Sequence, residues 1–157
     1  MKTKSAPLPY VPLSPHEGVL AWLAANEPAI EFTIPAPSPS LNSIKNLHPQ
    51  PYRRLRLKFR ELVLDAFKEK GGLPPPLSGR VYIQVIRGCY GKGLDWDNAI
   101  GGLKPLVDCL VTPSATSPSG LGLIQNDSPE FMPMAPHVVR APAEKCKGFT
   151  TVKIYQL

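Results

Sequence analysis

The chain has 157 residues and a formal net charge of +6, from 18 Lys and Arg residues against 12 Asp and Glu residues. This length suits one domain with one modest core. The basic balance favours a phosphate-rich partner such as a nucleic acid. No apolar run approaches the roughly 18 residues of a membrane span, so we expect no membrane partner.

Cysteine and histidine usage argues against disulfides and zinc. Cys89, Cys109 and Cys146 are odd in number and widely spaced, so they predict no disulfide framework and indicate a reducing cytoplasm. No Cys or His pair has the spacing of zinc ligands. Prolines interrupt the N-terminal region, which therefore lacks the apolar segment of a signal peptide.

The first 29 residues are predicted to form an N-terminal extension. Residues 1–13 are expected to be a flexible arm. Ser14 and Glu17 then have the spacing of a capping box, with proline at the first helical position. A short helix should follow and end near Asn26, and the main domain should occupy residues 30–157.

The main domain reads as alternating strands and helices. Apolar–polar alternation predicts strands, whereas a helical period predicts helices. We predict strands at residues 30–34, 80–87, 137–140 and 150–157, and helices at residues 51–70 and from 97 or 98 to 110. Residues 40–50 are expected to be a loop. The fold class is therefore α+β, with a mixed β-sheet flanked by helices.

The second of these helices should not be regular. Gly101, Gly102 and Pro105 are poor residues for a helix interior, and the proline ring clashes with the carbonyl four residues earlier. We expect a bend there, or a close approach to another element.

Acidic residues and one lysine surround this irregular helix. Asp95 and Asp97 lie two positions apart, so on extended chain their carboxylates point to one side. Lys104 and Asp108 share a helical face, and Asp127 follows in a polar turn. Carboxylate oxygens are the ligands that Mg²⁺ prefers. A lysine beside such a site would stabilise charge developing on a phosphate, although each residue alone also suits a plain cap, turn or surface ion pair.

A second cluster is strongly basic and precedes or lies within the first long helix. Its side chains would contact phosphates and position DNA without reading bases, although a solvated helix face is the alternative. The predicted DNA-binding residues are Lys45, Arg53, Arg54, Arg56, Lys58 and Arg60.

Three segments in this order make residues 30–157 resemble the RusA family of endodeoxyribonucleases, the Holliday junction resolvases of bacteria and phages. They are Asp95-Trp96-Asp97-Asn98, Lys104-Pro105-Leu106-Val107-Asp108 and Asn126-Asp127-Ser128-Pro129-Glu130. The chain departs from the family pattern at Asn126, where many relatives carry an acidic residue.

The resemblance implies a RusA-like fold and a catalytic set of Asp95, Asp97, Lys104 and Asp127. The three aspartates would be the metal ligands, with Mg²⁺ as cofactor and Mn²⁺ as a substitute. The family acts as a homodimer that cuts two opposed strands of a four-way DNA junction by phosphodiester hydrolysis, in recombination and repair.

Two other functions remain open from the residues. One is a non-catalytic protein that binds junctions or other branched DNA through the basic surface. The other is a nucleotide-sugar transferase, whose Asp-x-Asp motif also holds a metal-bound diphosphate. The short chain and the absence of a nucleotide-binding βαβ pattern argue against the transferase.

Overall fold

The computed structural model describes residues 17–157, so the predicted arm and the first three residues of the capping box lie outside it. In chain order the elements are α1 (Glu17–Ala25), β1 (Ile30–Ile34), α2 (Leu41–Ile44), α3 (Pro49–Lys68), β2 (Val81–Cys89), α4 (Trp96–Gly101), α5 (Lys104–Leu110), β3 (His137–Pro142) and β4 (Phe149–Gln156).

The four strands form one mixed sheet in the order β1-β4-β2-β3. β4 pairs antiparallel with both β1 and β2, whereas β3 runs parallel to β2. Ile30, Ile154 and Ile83 lie in one cross-strand row, which shows how the pairing aligns the apolar residues on one face. The predicted α+β class with a mixed sheet and flanking helices is confirmed.

The main core lies between this apolar face and the helices α3 and α5. Phe59, Val63 and Phe67 are the buried residues of α3, and they recur at helical spacing because one side of that helix faces the sheet. Proline is tolerated in the first turn, where the missing N–H has no helical partner. The helix therefore begins at Pro49, two residues before its predicted start.

The opposite face of the sheet is covered in part by α1. Leu23 is buried against Tyr82 and Tyr155, and the Trp22 ring packs edge-on against both tyrosines, with centroid distances of 6.1 and 5.4 Å. Burial raises the pKa of Tyr82 to about 12. The predicted short helix near the start of the chain is confirmed, and its apolar side chains pack on the sheet.

The region expected to be a loop at residues 40–50 was predicted wrongly in part, because it contains the one-turn helix α2 and the start of α3. The Ser40 hydroxyl accepts a hydrogen bond from the Ser43 backbone N–H at 3.2 Å and so caps α2. Ile44 is buried and anchors the turn. No helix in the described part of the chain is long and apolar enough to cross a membrane.

Candidate active site

The acidic motif follows β2 and lies at the start of α4. The helix expected from residue 97 or 98 to 110 is two helices, α4 and α5, which meet at Gly102 and Leu103. The predicted irregularity is therefore confirmed as a break. As a result, Asp97 lies in the first turn of one helix and Lys104 begins the next.

Close packing at this break explains the glycine pair. A Cβ atom on Gly102 would lie 2.9 Å from the Ser40 carbonyl carbon and closer still to the Pro39 carbonyl oxygen. A Cβ atom on Gly101 would meet the Leu41 side chain at 2.9 Å. The predicted close approach is confirmed: the segment leading into α2 lies directly against the α4–α5 junction.

Asn98 organises the two carboxylates of the acidic motif. Its Nδ2 donates to Asp95 Oδ1 at 2.8 Å, and its backbone N–H donates to Asp97 Oδ1 at 3.0 Å. Its own Oδ1 accepts from the Asn42 backbone N–H at 3.1 Å, which ties α4 to α2. The hydrogen bond from Asn98 lowers the pKa of Asp95, and Asp97 contributes to the same effect. Both carboxylates are exposed to solvent.

Asp95 occupies the N-cap position of α4, but its side chain makes no capping hydrogen bond. Its backbone is extended, with φ −64° and ψ 159°, and its carboxylate turns to Asn98 instead. The sequence allowed Asp97 or Asn98 as the cap of this helix, but the N-cap position falls on Asp95. Asn98 itself was predicted only as a possible cap, and its bridging role depends on α2, which was predicted as loop.

Lys104 is held between two carboxylates. Its Nζ lies 2.7 Å from Asp108 Oδ1 and 2.8 Å from Asp127 Oδ2. Burial would lower the pKa of Lys104, but hydrogen bonds to both carboxylates outweigh it and raise the pKa above its usual value. The ammonium is therefore charged at neutral pH and fixed in place. The predicted pairing of Lys104 with Asp108 on one helical face is observed.

Tyr52 extends this network from α3. Its hydroxyl donates to Asp108 Oδ2 at 3.2 Å, so Asp108 receives one hydrogen bond on each oxygen. Burial, followed by the charge of Asp108, raises the pKa of Tyr52 to about 12. Asp108 is itself buried, which restricts its position. Sequence reasoning missed this role for Tyr52, because 56 residues separate it from Asp108.

The turn that carries Asp127 is shaped by Asn126. The Oδ1 atom of Asn126 accepts from the backbone N–H of Asp127 at 2.7 Å and from that of Ser128 at 3.2 Å. The amide side chain of Asn126 thus supports the turn that presents Asp127. The adjacent Gln125 accepts a hydrogen bond from the Gly79 backbone N–H at 2.9 Å, which fixes the turn to the loop before β2.

The four predicted catalytic residues form two groups. Asp95 and Asp97 lie together on α4, and Lys104 joins Asp127, but no hydrogen bond or ion pair among residues 17–157 links one group to the other. Within that part of the chain, no cluster of three or more His, Cys, Asp or Glu side chains could hold a metal ion. The assignment of the three aspartates as metal ligands stays a prediction.

The chemistry of these donors nevertheless suits Mg²⁺. Asp95 and Asp97 offer exposed carboxylate oxygens, which are hard ligands. Asp127 contacts Lys104 through one oxygen, Oδ2. In this conformation of the described residues, Asp127 does not form one such cluster with Asp95 and Asp97.

The predicted DNA-binding residues divide into two sets. Lys45, Arg53, Arg54 and Lys58 are exposed. The Arg56 guanidinium packs 5.4 Å from the centre of the Tyr52 ring, and the half-buried Arg60 pairs with Glu61 at 3.3 Å. Arg56 and Arg60 are less exposed than the other four because this side of α3 packs against α5.

No protein-family model matches this chain, and no curated protein matches its sequence significantly. The structure defines an α+β domain in which a lysine between two aspartates lies close in the chain to a second pair of aspartates.

Proposed function

We propose that this protein is a Mg²⁺-dependent, structure-selective DNA endonuclease of the RusA type, which resolves four-way junctions in DNA recombination and repair. One observation carries the proposal. Lys104 is fixed by ion pairs to Asp108 and Asp127, and it begins the helix that follows the Asp95 and Asp97 motif. An ammonium held between two carboxylates suits the stabilisation of charge on a phosphate.

The proposed division of labour follows from the donor types. Asp95, Asp97 and Asp127 would hold Mg²⁺, or Mn²⁺ in its place. The bound ion would supply a nucleophilic water and neutralise phosphate charge. Lys104 would place its ammonium near the phosphate oxygens, whereas Asp108 and Tyr52 would restrict where that ammonium lies.

Substrate binding would use the exposed cations around the start of α3. Lys45, Arg53, Arg54 and Lys58 project into solvent, where they are free to contact phosphates. Such contacts orient DNA without reading its sequence. Selectivity for four-way junctions and action as a homodimer rest on the family resemblance, because two linked active sites would allow paired incisions.

The test is cleavage of a labelled synthetic four-way junction in Mg²⁺, beside a linear duplex of the same sequence. We expect symmetric nicks on the junction alone, in the wild type and in Asp65→Asn, but not in Asp97→Asn. Asp65 is the matched control because it is also an exposed aspartate. It lies on α3, where it pairs with Lys68, and not on the helix that carries Asp97. Absence of cleavage in Mg²⁺ and in Mn²⁺ would refute the proposal.

A second candidate is a non-catalytic protein that binds branched DNA. It is favoured by the separation of the carboxylates into two groups, since no cluster of three lies within residues 17–157. Such a protein would bind the junction with a steep salt dependence. Asp97→Asn would then leave junction affinity unchanged or slightly tighter, and neither protein would nick the DNA.

A further inference from the structure

A pocket of about 120 Å³ lies next to the acidic motif. It is formed by the ends of the parallel strands β2 and β3 together with the start of α4. The lining residues are Arg87, Cys89, Leu94, Trp96, Ala99, Val138, Val139 and Arg140. None of them has a part in the network of Lys104, Asp108 and Asp127.

The pocket combines apolar walls with two guanidinium groups. Arg87 and Arg140 are paired in the register of β2 and β3, so they lie side by side on one face of the sheet. Arg87 Nε donates to the Ser38 carbonyl oxygen at 2.7 Å, and Arg140 donates to the Gly91 carbonyl oxygen. Within the described residues, neither arginine forms an ion pair with a carboxylate. Both are therefore held in place without being neutralised.

An exposed aromatic ring stands at the rim of the pocket. Trp96 is 76% exposed, although it lines the pocket and lies between Asp95 and Asp97 in the chain. A single exposed apolar side chain is ordinary on a protein surface. Here the ring is joined to an apolar cleft and two cations, which is the combination that binds the face and the edge of a nucleic-acid base.

The size of the pocket sets the scale of the ligand. A cavity of about 150 Å³ is enough to admit benzene. A pocket of about 120 Å³ that opens to solvent thus suits one flat ring system that remains partly outside it. A phosphate group would gain nothing from walls made by Leu94, Ala99 and Val138.

We propose that this pocket binds one unpaired nucleobase of the DNA substrate, with guanine preferred, next to the phosphate at Asp95 and Asp97. The proposal rests on the proposed DNA-cleaving function for its substrate. Trp96 stacks on the base, and arginine donors reach its edge. Guanine is favoured because O6 and N7 are adjacent acceptors that match an arginine fork. Arg87 and Arg140 supply donors and no acceptors.

The test measures DNA binding in EDTA, so it does not depend on cleavage. Fluorescently labelled duplexes carry a single unpaired nucleotide at one position, either G, A, C, T or an abasic residue, and anisotropy gives the Kd of each. We expect the unpaired guanine to bind roughly 5- to 150-fold more tightly than the abasic site, the range given by base–aromatic stacking of about 1–3 kcal/mol. The other bases should lie between these limits.

Two variants separate the pocket from general surface effects. Trp96→Ala should abolish most of the difference between guanine and the abasic site. Tyr90→Ala is the matched control, because Tyr90 is also a large exposed aromatic residue, at 67% exposure, but does not line the pocket. Arg140→Gln should retain a preference for any base over the abasic site and lose the preference for guanine. Melting temperatures show that each variant is folded.

The outcomes separate this proposal from the nuclease proposal. A guanine preference that depends on Trp96 supports the pocket, even in a protein that never cleaves DNA. Equal affinity for all five DNAs, or equal effects of Trp96→Ala and Tyr90→Ala, overturns the pocket and leaves junction cleavage untouched. Failure to bind any of the five duplexes also overturns the pocket, whereas the nuclease proposal is decided separately by the junction-cleavage assay in Mg²⁺.

Discussion

The junction between α4 and α5 allows a sharp test, because its geometry leaves no room for one methyl group. In Gly102→Ala the new Cβ would lie 2.7 Å from the Pro39 carbonyl carbon and 2.9 Å from that of Ser40, and closer than either to the Pro39 oxygen. Real Cβ atoms essentially never come within 3.0 Å of such atoms. The neighbours are backbone, so the clash cannot be relieved by a rotamer change.

The expected cost follows from that lack of relief. Overpacking a well-packed site typically lowers the free energy of unfolding by about 1–3 kcal/mol. For a domain near this size, 1 kcal/mol shifts Tm by about 2–4 °C, so Gly102→Ala should lower Tm by about 2–12 °C. Differential scanning calorimetry or a circular dichroism melt measures this directly.

Gly101→Ala is the matched control for this substitution. Its new Cβ would lie 2.9 and 3.1 Å from the two Leu41 Cδ atoms, which can rotate away, and 3.0 Å from Leu41 Cβ, which must shift by a few tenths of an ångström. Replacing glycine by alanine in a helix also contributes about 1 kcal/mol of stability, which offsets the contact. We expect little change in Tm. Equal melting of the two variants would refute the close approach of the segment before α2 to the α4–α5 junction.

Three further expectations address other parts of the molecule. Cys146 is exposed whereas Cys89 and Cys109 are buried, and burial raises the pKa of Cys109 to about 12. Maleimide at pH 7 should therefore label Cys146 alone in the native state, which peptide mass analysis would show. Tyr52→Phe removes the hydrogen bond to Asp108, so it should lower the free energy of unfolding by about 1 kcal/mol in urea and reduce the junction-cleavage rate without weakening DNA binding. Trp22→Ala removes a half-buried ring that packs against Tyr82 and Tyr155. We expect the free energy of unfolding in urea to fall by about 2–3 kcal/mol. An unchanged free energy would mean that α1 is not docked on the sheet.

Local periodicity was enough to predict most of the fold. Residues Ile30–Ile34 alternate buried and exposed without exception, because successive side chains of a strand point to opposite faces. Gly101, Gly102 and Pro105 likewise predicted the break between α4 and α5, since each is a poor interior helix residue. In both cases the cause lies within a few residues of its effect.

Contacts between distant segments account for what was not predicted. α2 has only four residues, which is too short to show a helical period. The approach of Tyr52 to Asp108 depends on how α3 packs against α5, and no local pattern encodes that packing. The same packing half-buries Arg56 and Arg60, whereas Arg53, Arg54 and Lys58 stay exposed.

Replacing Lys104 is expected to have opposite effects on catalysis and on metal binding: cleavage should be lost, and Mg²⁺ should bind more tightly. Its ammonium lies 2.8 Å from Asp127 Oδ2, so it competes for an oxygen that the proposed Mg²⁺ ion would need. A nearby unit charge is worth about 1 kcal/mol even in water, which is roughly fivefold in affinity. We therefore expect Lys104→Met to bind Mg²⁺ several-fold more tightly while losing cleavage, as judged from the Mg²⁺ dependence of Tm. Lys68→Met is the control: it removes an ion pair with Asp65 on α3. It should change neither the affinity for Mg²⁺ nor the cleavage rate. Weaker Mg²⁺ binding in Lys104→Met would show instead that Lys104 positions Asp127 for the metal, and the competition inferred from the ion pair would be wrong.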